Sequence, residues 1–303
     1  MGENNTSLKK KTTPKVSIGI PVQNGENFLE EAIKSILNQT FSDLELIISD
    51  NASTDKTPDI CRKYAKRDKR IRYVRNEENI GASENFNNLF KFSKGEYYLS
   101  VSHDDYFHPD FLKKSVDILD NNKSIHLVHS KTMAVNEKGI PIQDYSSDLD
   151  LDSESPSKRL YNSICVSHPI MEIFGLIRSS TLRKTTLMGK YTSADRILLA
   201  EIALLGKCHI IQEYLFYNRL HKKQHYNIYP TRQERAVWWD PNLKNVKTFP
   251  HWRLLLELYR SIKNSPIKGK EKRQCYFILI IWIKKHIGYL IRNLFLRDRN
   301  WKT

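Results

Sequence analysis

Hydrophobic residues in the first half of the chain alternate between short β-branched runs and amphipathic helical patterns. The first run, KVSIGI, begins at Lys15 and is followed by Pro21. After it, apolar side chains recur every three or four residues, which predicts that a helix follows the strand. The apolar face of this predicted helix consists of Phe28, Leu29, Ala32, Ile33, Ile36 and Leu37.

The same alternation continues along the chain to about residue 130. The next strand candidates are LELIISD, IRYVRN, EYYLSVS and IHLVHS. Between them lie helical segments that include ASENFNNLFKF and PDFLKKSVDILDNN. Strands and helices in regular alternation are typical of a mostly parallel sheet covered by helices, so the sequence predicts an α/β fold.

Polar residues follow directly after three of the predicted strands, at residues 21–24, 50–55 and 102–105. Because ligands bind at the carboxyl ends of parallel strands, we expect these segments to converge on one crevice. Aspartate is also favoured at helix N-termini, so each aspartate taken alone is equally well explained as a cap. The three segments taken together favour a binding site.

This crevice has an unusual charge pattern, because Asp104 and Asp105 are adjacent and their like charges repel. A divalent cation, Mn²⁺ or Mg²⁺, would relieve this repulsion and counter the charge of a bound diphosphate. The chain contains no GxGxxG or GxxxxGK[ST] loop, which argues against a nicotinamide cofactor or a P-loop nucleotide. The sequence therefore predicts a metal-assisted site for a diphosphate.

Three segments occur in a fixed order: VSIGIPVQNGENFLEEAIKSILNQTFSDLELIISDNASTDKT, NIGASENFNNLF and GEYYLSVSHDDYFHPDFL. In order and spacing they resemble the nucleotide-binding half of the family-2 glycosyltransferases, which have the GT-A fold. The resemblance implies a nucleotide pocket lined by Pro21, Val22 and Asn24, with Asp50 on the base and Gly81 and Asn85 beside it.

The third segment contains Ser102-His103-Asp104, which aligns with the Asp-x-Asp metal motif of the family. Ser102 stands where the family has its first aspartate. The resemblance therefore implies that Asp104 is the direct metal ligand, with Asp105 as its neighbour or as a second ligand. Ser102 and His103 are expected beside the nucleotide.

A later segment, YTSADRILLAEIALLGKCHIIQEYLFYNRLH, is also similar to the family. In it Asp195 matches the catalytic base on the acceptor side, while a cap of the following helix is the competing explanation. His221 matches a histidine that reaches the metal or the diphosphate, and neutral imidazole is a capable metal ligand. Arg219 either faces the diphosphate or pairs at the surface.

Together these parts imply an inverting glycosyltransferase. A metal ion on Asp104 would stabilise the charge left on the diphosphate of a nucleotide-sugar. Asp195, which is ionised near pH 7, would accept the proton of the attacking hydroxyl. We expect a UDP-sugar rather than a GDP- or dTDP-sugar as donor. The expected acceptor is a hydroxyl of a glycan or a lipid-linked molecule, in cell-surface polysaccharide or glycolipid synthesis.

Positive charge is concentrated at the C-terminal end of the chain. Residues 244–303 hold 15 basic and 3 acidic residues, which is +12 of the net charge of +15. The apolar run CYFILIIWI is far shorter than the roughly 20 residues of a membrane span. We therefore expect residues 270–296 to form an interfacial helix on an anionic membrane surface. The alternative is that the apolar face of this helix packs on the catalytic domain. This face consists of Ile280, Ile283, Ile287, Leu290, Ile291 and Leu294.

We expect three regions along the chain. Residues 1–14 form a flexible basic lead-in, residues 15–225 the GT-A domain, and residues 226–303 a basic helical region. Within the GT-A domain, the donor half covers residues 15–130 and the acceptor half covers residues 131–225. The lead-in has no apolar stretch of the secretory type, and the four distant cysteines indicate neither a disulfide framework nor a zinc site. The expected location is cytoplasmic, peripheral at the inner face of the membrane.

Two other classes of function remain open at this point. Ser102 also fits a catalytically silent relative that binds a nucleotide-sugar or a partner enzyme, and donor-dependent release of nucleoside diphosphate would distinguish the two. A nucleic-acid-binding protein is disfavoured, because long aliphatic runs rather than exposed aromatic platforms accompany the basic residues. We therefore expect no nucleic acid partner.

Overall fold

The structure is a computed structural model, which describes residues 13–145 and 149–295. Nine strands within these ranges form one sheet. They are β1 (Val16–Val22), β2 (Leu44–Asp50), β3 (Ile71–Arg75), β4 (Tyr97–Ser100), β5 (Tyr106–Phe107), β6 (Ile125–Val135), β7 (Pro141–Asp144), β8 (Leu176–Arg178) and β9 (Lys207–Arg219).

The strand order is β3-β2-β1-β4-β8-β6-β9-β5, and β7 pairs with β6 beside this path. β1 runs parallel to β2 and β4, and β2 runs parallel to β3, as predicted for the first half of the chain. The short strand β8 joins this part to β6 through antiparallel pairs, and β6 and β9 are again parallel. Because Val22 pairs with Asp50, β1 and β2 end at the same level, and the segments that follow them meet at one edge.

Eleven α-helices in the described ranges connect the strands or follow them, together with two short 3-10 helices, Glu172–Phe174 and Pro241–Leu243. The α-helices are α1 (Leu29–Leu37), α2 (Thr57–Arg67), α3 (Ala82–Phe92), α4 (Phe111–Asn121), α5 (Pro156–Cys165), α6 (Ser179–Leu182), α7 (Ala194–Leu205), α8 (His225–Ile228), α9 (Arg232–Trp239), α10 (Pro250–Asn264) and α11 (Gly269–Phe295).

Helix α1 follows the predicted amphipathic pattern. Phe28 occupies the N-cap position, and Leu37 at the other end is only partly buried. The helix therefore begins one residue later than the apolar pattern. Between these ends, four of the six predicted residues are fully buried: Leu29, Ala32, Ile33 and Ile36.

The core lies on both faces of the sheet. Every residue of β1 is buried, and in β2 only Glu45 is partly exposed. Leu46 and Ile48 belong to one apolar cluster, while Ile47 between them belongs to another. Since successive side chains of a strand point to opposite faces, the two clusters lie on opposite sides of the sheet. Strands buried in this way read as continuous apolar runs in the sequence.

The last two helices, α10 and α11, form an antiparallel pair that packs on the rest of the fold. Trp252 Nε1 near the start of α10 donates to the carbonyl of Leu290 at 3.0 Å, and Lys272 Nζ near the start of α11 donates to the carbonyl of Lys263 at 2.7 Å. α11 buries five apolar residues within the described part of the chain: Cys275, Ile278, Leu279, Trp282 and Leu290.

The apolar face predicted for residues 270–296 divides between the core and solvent. Leu290 is buried, while the other residues predicted on this face are partly or largely exposed. Within the described residues, no helix has the length and apolarity needed to cross a membrane. Leu296 and residues 1–12 of the predicted lead-in lie outside the described residues.

Gly19 of β1 packs closely against Tyr98 and Leu89, and this packing leads to a prediction about stability. A methyl group on Gly19 would lie 2.4 Å from Tyr98 Oη and 3.0 Å from Leu89 Cβ. We expect Gly19→Ala to lower the free energy of unfolding by about 1–3 kcal/mol, which is typical of overpacking. Tyr98→Phe removes the clashing oxygen, so it should reduce this cost. Urea unfolding of the two single variants and the double variant measures the coupling.

Tyr97→Phe is the matched control for this cycle. The buried hydroxyl of Tyr98 has no hydrogen-bond partner among the described residues, so Tyr98→Phe alone should be neutral or stabilising. The hydroxyl of Tyr97 donates to Asp120, so Tyr97→Phe should destabilise the protein and leave the cost of Gly19→Ala unchanged. Strictly additive effects of Gly19→Ala and Tyr98→Phe would contradict the packing argument.

Candidate active site

A cavity of about 580 Å³ opens at the carboxyl ends of β1, β2 and β4. Its wall is built from the loops that follow these strands, from the start of α3 and from the segment after β9. Eight of the predicted site residues line it: Pro21, Val22, Asn24, Asn85, Ser102, His103, Asp104 and His221.

The loop after β1 is held in place by the loop after β2. Asn24 has a left-handed backbone with φ of 53°, and its N–H donates to Ser53 Oγ at 2.9 Å. Asn24 Oδ1 in turn accepts from the N–H of Thr54 at 2.8 Å. Asp55 bridges the same loops, because its two oxygens accept the N–H groups of Glu26 and Thr57. The predicted capping role of Asp55 and its place in the cavity wall therefore coexist.

Asp50 is fully buried and does not line this cavity. Its Oδ2 accepts from Tyr73 Oη and from Arg75 Nη1, both at 2.7 Å, and its Oδ1 accepts the N–H of Ser53 at 2.8 Å. The carboxylate thus fixes the loop that forms the wall. The contact to a nucleotide base that the resemblance implies for Asp50 stays a prediction.

The start of α3 contributes one predicted residue to the cavity and places another behind it. Asn85 lines the cavity, and its side chain is fixed by Ser49, whose Oγ donates to Asn85 Oδ1 at 2.6 Å. Gly81 has φ of 84° and lies outside the lining. A side chain at Gly81 would meet the carbonyl of Trp239 at 2.7 Å, so glycine allows α3 and α9 to approach closely.

Asp104 faces the cavity and pairs with His221. The distance from Asp104 Oδ2 to His221 Nε2 is 2.8 Å, and both side chains are largely buried. Burial opposes ionisation of Asp104, but the charge of His103 and hydrogen bonds from His221 and Ser102 outweigh it and hold the pKa well below its usual range. Asp104 is therefore a carboxylate at neutral pH.

Asp105 points away from the cavity and into the protein. Its Oδ1 accepts the backbone N–H of Arg219 at 2.8 Å and the side-chain amide of Asn218 at 3.1 Å. Burial and the charge of Asp104 raise the pKa of Asp105. The adjacent carboxyl groups thus have opposite environments, which limits their repulsion.

Arg219 supports this turn from below and does not line the cavity. Its side chain is 1% exposed, and its Nη2 donates to Glu31 Oε2 at 2.6 Å. Its Nε donates to the carbonyl of Asp104 at 3.1 Å, and the guanidinium lies 4.9 Å from the ring centre of Phe28. In this structure Arg219 therefore joins the Asp104 turn to α1 and β9.

The side chains present fit a divalent ion that is completed by a ligand. Within the described residues, no group of three or more His, Cys, Asp or Glu side chains could hold a metal ion on its own. Asp104 Oδ2 and His221 Nε2 are the oxygen and the nitrogen available at the cavity wall, and they lie 2.8 Å apart in a hydrogen bond that a bound ion would replace. Mg²⁺ is commonly bound through one or two carboxylates with substrate phosphates and water, and imidazole is an accepted donor for transition metals.

A second cavity of about 1030 Å³ contains Asp195 in its wall. Asp195 is the second residue of α7, whose N-cap is Ser193, and its Oδ1 accepts the N–H of Arg196 at 2.9 Å. Tyr226 lines the same cavity, and burial together with the charges of Tyr145, Asp104 and Asp105 raises its pKa. Tyr226 therefore lies within electrostatic range of the aspartate pair.

The segment that contains α8 and α9 separates the two cavities. Trp238 lines the first cavity and its neighbour Trp239 lines the second. The sequence analysis assigned neither tryptophan to the site. Thr231 and Glu234 form a capping box, which marks the start of α9 and could have been recognised in the sequence. The two adjacent tryptophans at the end of the same helix were the sequence signal for these two cavity walls.

A sequence model of glycosyl transferase family 2 matches residues 17–168. The match includes the loops after β1, β2 and β4 and the start of α3, but not the segment after β9 that completes the first cavity. The chain belongs to this family. The expected GT-A fold, with a mostly parallel central sheet and C-terminal helices, is confirmed by solved structures of similar architecture.

One of these structures is S. aureus TarS 1–349 in complex with UDP-GlcNAc, with a TM-score of 0.67, 19% identity and coverage of 93% of this chain and 76% of that chain. Another is the mannosyltransferase PcManGT from Pyrobaculum calidifontis in complex with GDP-Man and Mn²⁺, with a TM-score of 0.56, 15% identity and coverage of 94% and 88%. A curated relative, the poly(ribitol-phosphate) beta-glucosyltransferase of Bacillus spizizenii, is 33% identical over 45% of this chain and 22% of its own length.

Proposed function

We propose that this glycosyltransferase transfers a sugar from a nucleotide-diphosphate donor to a hydroxyl of a glycan or lipid-linked acceptor, with inversion at the anomeric carbon. One observation carries the proposal: Asp104, in the loop after β4, and His221, just after β9, line one cavity, while Asp195 lines a separate cavity. The donor and the acceptor would thus approach from different sides. The setting is synthesis of a cell-surface polysaccharide or glycolipid.

The first cavity is assigned to the donor nucleotide. Pro21, Val22, Asn24 and Asn85 would form its wall around the nucleoside, with the carboxylate of Asp104 near the diphosphate. TarS binds UDP-GlcNAc and PcManGT binds GDP-Man, so proteins of this fold bind uridine as well as guanosine nucleotides. We favour a UDP-sugar for this chain, in line with the greater similarity to TarS.

The residues of this chain would divide the chemistry between the two sides of the anomeric carbon. Asp104 and His221 would hold Mn²⁺ or Mg²⁺, which supplies Lewis-acid stabilisation of charge on the diphosphate. Asp195 would accept the proton of the acceptor hydroxyl as the hydroxyl attacks the opposite face. A single displacement inverts an α-linked donor to a β-linked product, the linkage named for the Bacillus spizizenii relative.

The first prediction from this proposal concerns the metal. Asp104→Asn removes the carboxylate that faces the cavity, so affinity for a UDP-sugar in the presence of Mn²⁺ should fall by about tenfold or more. Isothermal titration calorimetry with and without EDTA measures this. Asp110→Asn, a partly exposed carboxylate outside the cavity, is the control and should bind normally. Unchanged donor affinity in both EDTA and the Asp104 variant would overturn the metal assignment.

The second prediction concerns Asp195. Asp195→Asn should keep donor affinity and lower the transfer rate by about 10²–10⁴, the usual contribution of a general base. The assay is incorporation of labelled sugar into envelope glycans of the source cells. Asp152→Asn, which replaces a partly exposed carboxylate paired with His209, should transfer sugar at the normal rate. Normal transfer by the Asp195 variant would reject the base, and donor binding without transfer by the unmodified protein would favour a silent relative.

The same proposal includes peripheral attachment of α11 to the inner face of an anionic membrane. One face of α11 carries five apolar side chains that are 49–62% exposed: Phe277, Ile280, Ile287, Ile291 and Leu294. Arg273 and Lys284 are also exposed, and each lies four residues from one of these apolar side chains, on the same face of the helix. An exposed apolar stripe flanked by basic residues is the pattern of an interfacial helix, and each basic residue near an anionic surface contributes roughly 1 kcal/mol.

The third prediction is therefore that the protein floats with vesicles rich in phosphatidylglycerol at low salt. The triple variant Phe277→Ser, Ile280→Ser, Ile287→Ser should lose this binding while it remains folded, because all three side chains are exposed. Ile140→Ser with Ile142→Ser, two exposed residues on the β6–β7 side, is the matched control and should still float. Unmodified protein that stays in the soluble fraction would remove the membrane assignment.

A further inference from the structure

The cavity that contains Asp195 is strongly basic. Among the described residues that line it, Asp195 is the only acidic side chain. Four permanently cationic side chains accompany it, and they come from three different helices. They are Arg196 of α7, Arg232 and Arg235 of α9, and Lys285 of α11.

Within the described residues, the side-chain hydrogen bonds of three of these cations all go to backbone carbonyls. Arg196 Nη2 donates to the carbonyl of His168 at 3.5 Å, Arg235 Nη1 to that of Tyr229 at 3.4 Å, and Lys285 Nζ to that of Cys165 at 2.8 Å. Within the described part of the chain, none of the three lies within 4.0 Å of a carboxylate. Within the described residues, these three positive charges therefore have no carboxylate in direct contact.

His251 lines this cavity, where burial and the positive charge of Arg232 contribute to a lowered pKa of its imidazole. Burial, and next the charge of Arg232, lower its pKa to about 4, so the imidazole is neutral at neutral pH. Its Nδ1 is buried and has no hydrogen-bond partner in the part of the chain that the structure describes. A neutral imidazole with an unused nitrogen lies beside cations that would repel one another without a counter-charge.

The same cavity also contains flat apolar surfaces. Trp239, Trp282 and Tyr289 line it, and the ring of Tyr289 stacks on His251 with centres 4.8 Å apart. Aromatic rings beside cationic donors suit a molecule that combines sugar or polyol carbons with anionic groups. Arg196 and Asp195 both line this cavity, so an anion bound by Arg196 would share the cavity with the hydroxyl that is deprotonated.

We propose that this cavity, here called the acceptor cavity, binds an acceptor that carries phosphate groups next to the attacked hydroxyl. The inference rests on the proposed function, because it assumes that Asp195 faces the acceptor. Arginine presents several N–H donors that match phosphate oxygens, and lysine binds phosphate as a point charge. Phosphate of this kind occurs in polyol-phosphate polymers and in lipid-linked diphosphate sugars.

The test measures binding of acceptor probes to the full chain saturated with UDP and Mn²⁺, so that the donor cavity is blocked. The probes are a poly(glycerol phosphate) oligomer, a short-chain isoprenyl diphosphate sugar, an oligogalacturonate and a neutral malto-oligosaccharide. Quenching of tryptophan fluorescence is a suitable signal because Trp239 and Trp282 line the acceptor cavity. We expect one or both phosphate probes to bind, and the one that binds identifies the source of the phosphate.

Arg235→Gln combined with Lys285→Gln should weaken the phosphate probe by about tenfold or more, since two charged hydrogen-bond donors are lost. UDP affinity should change by less than about twofold in the same variant. Lys66→Gln combined with Arg67→Gln removes the same charge from exposed positions of α2 and is the matched control. It should bind the phosphate probe normally.

Three results would overturn the inference. They are no binding of either phosphate probe, equal binding of the carboxylate or neutral oligosaccharide, and phosphate binding that the acceptor-cavity variant does not weaken. The probe panel on the unmodified protein decides the matter even if the double variant fails to fold. Loss of UDP binding by the unmodified protein would instead reject the proposed function, which separates the two failures.

Discussion

The opposite orientation of Asp104 and Asp105 is the constraint on which the rest of the site depends. Asp105 points inward and accepts the backbone N–H of Arg219, so it ties the turn after β4 to the end of β9. Asp104 then faces the cavity, where His221 meets it from the chain just beyond β9. Arg219 completes the arrangement, because its guanidinium joins the same turn to Glu31 of α1. Each of these contacts helps to fix the turn that carries the two carboxyl groups.

This turn also explains how the two halves of the chain form one site. The parallel strands β1, β2 and β4 belong to the half that matches the family model, whereas His221 lies beyond that match. The strand β9 carries His221 to the carboxylate because β5, directly after the Asp104 turn, pairs with β9 through Tyr106 and Tyr217. A two-residue antiparallel pair thus fixes the distance between two side chains that are 117 positions apart.

The sequence was sufficient to predict the parallel strands and the loops that follow them. Long apolar runs such as LELIISD and the polar residues after them have a direct physical cause, which is burial on both faces of a sheet and exposure at its edge. The direction of a single side chain was not predictable in this way. Asp50 turns into the protein because Tyr73 and Arg75 of β3 bind it, and this pairing depends on strand register rather than on local pattern. The wall formed by Trp238 and Trp239 was missed for a similar reason, because the packing of α9 against α3 is a tertiary contact.

The helix α11 shows why helical periodicity alone left its role undecided. Cys275, Ile278 and Trp282 point into the fold, while Phe277, Ile280 and Ile287 face solvent, so the apolar residues occupy two faces rather than one. Both adjacent lysines are exposed, but only Lys285 lines the cavity, where it donates to the carbonyl of Cys165. A residue pattern with two apolar faces fits both packing and surface attachment, and only the structure shows which of these residues are buried and which are exposed. Because packing uses one face, it does not compete with the use of the other, and the basic charge of this region divides between the cavity and the outer surface.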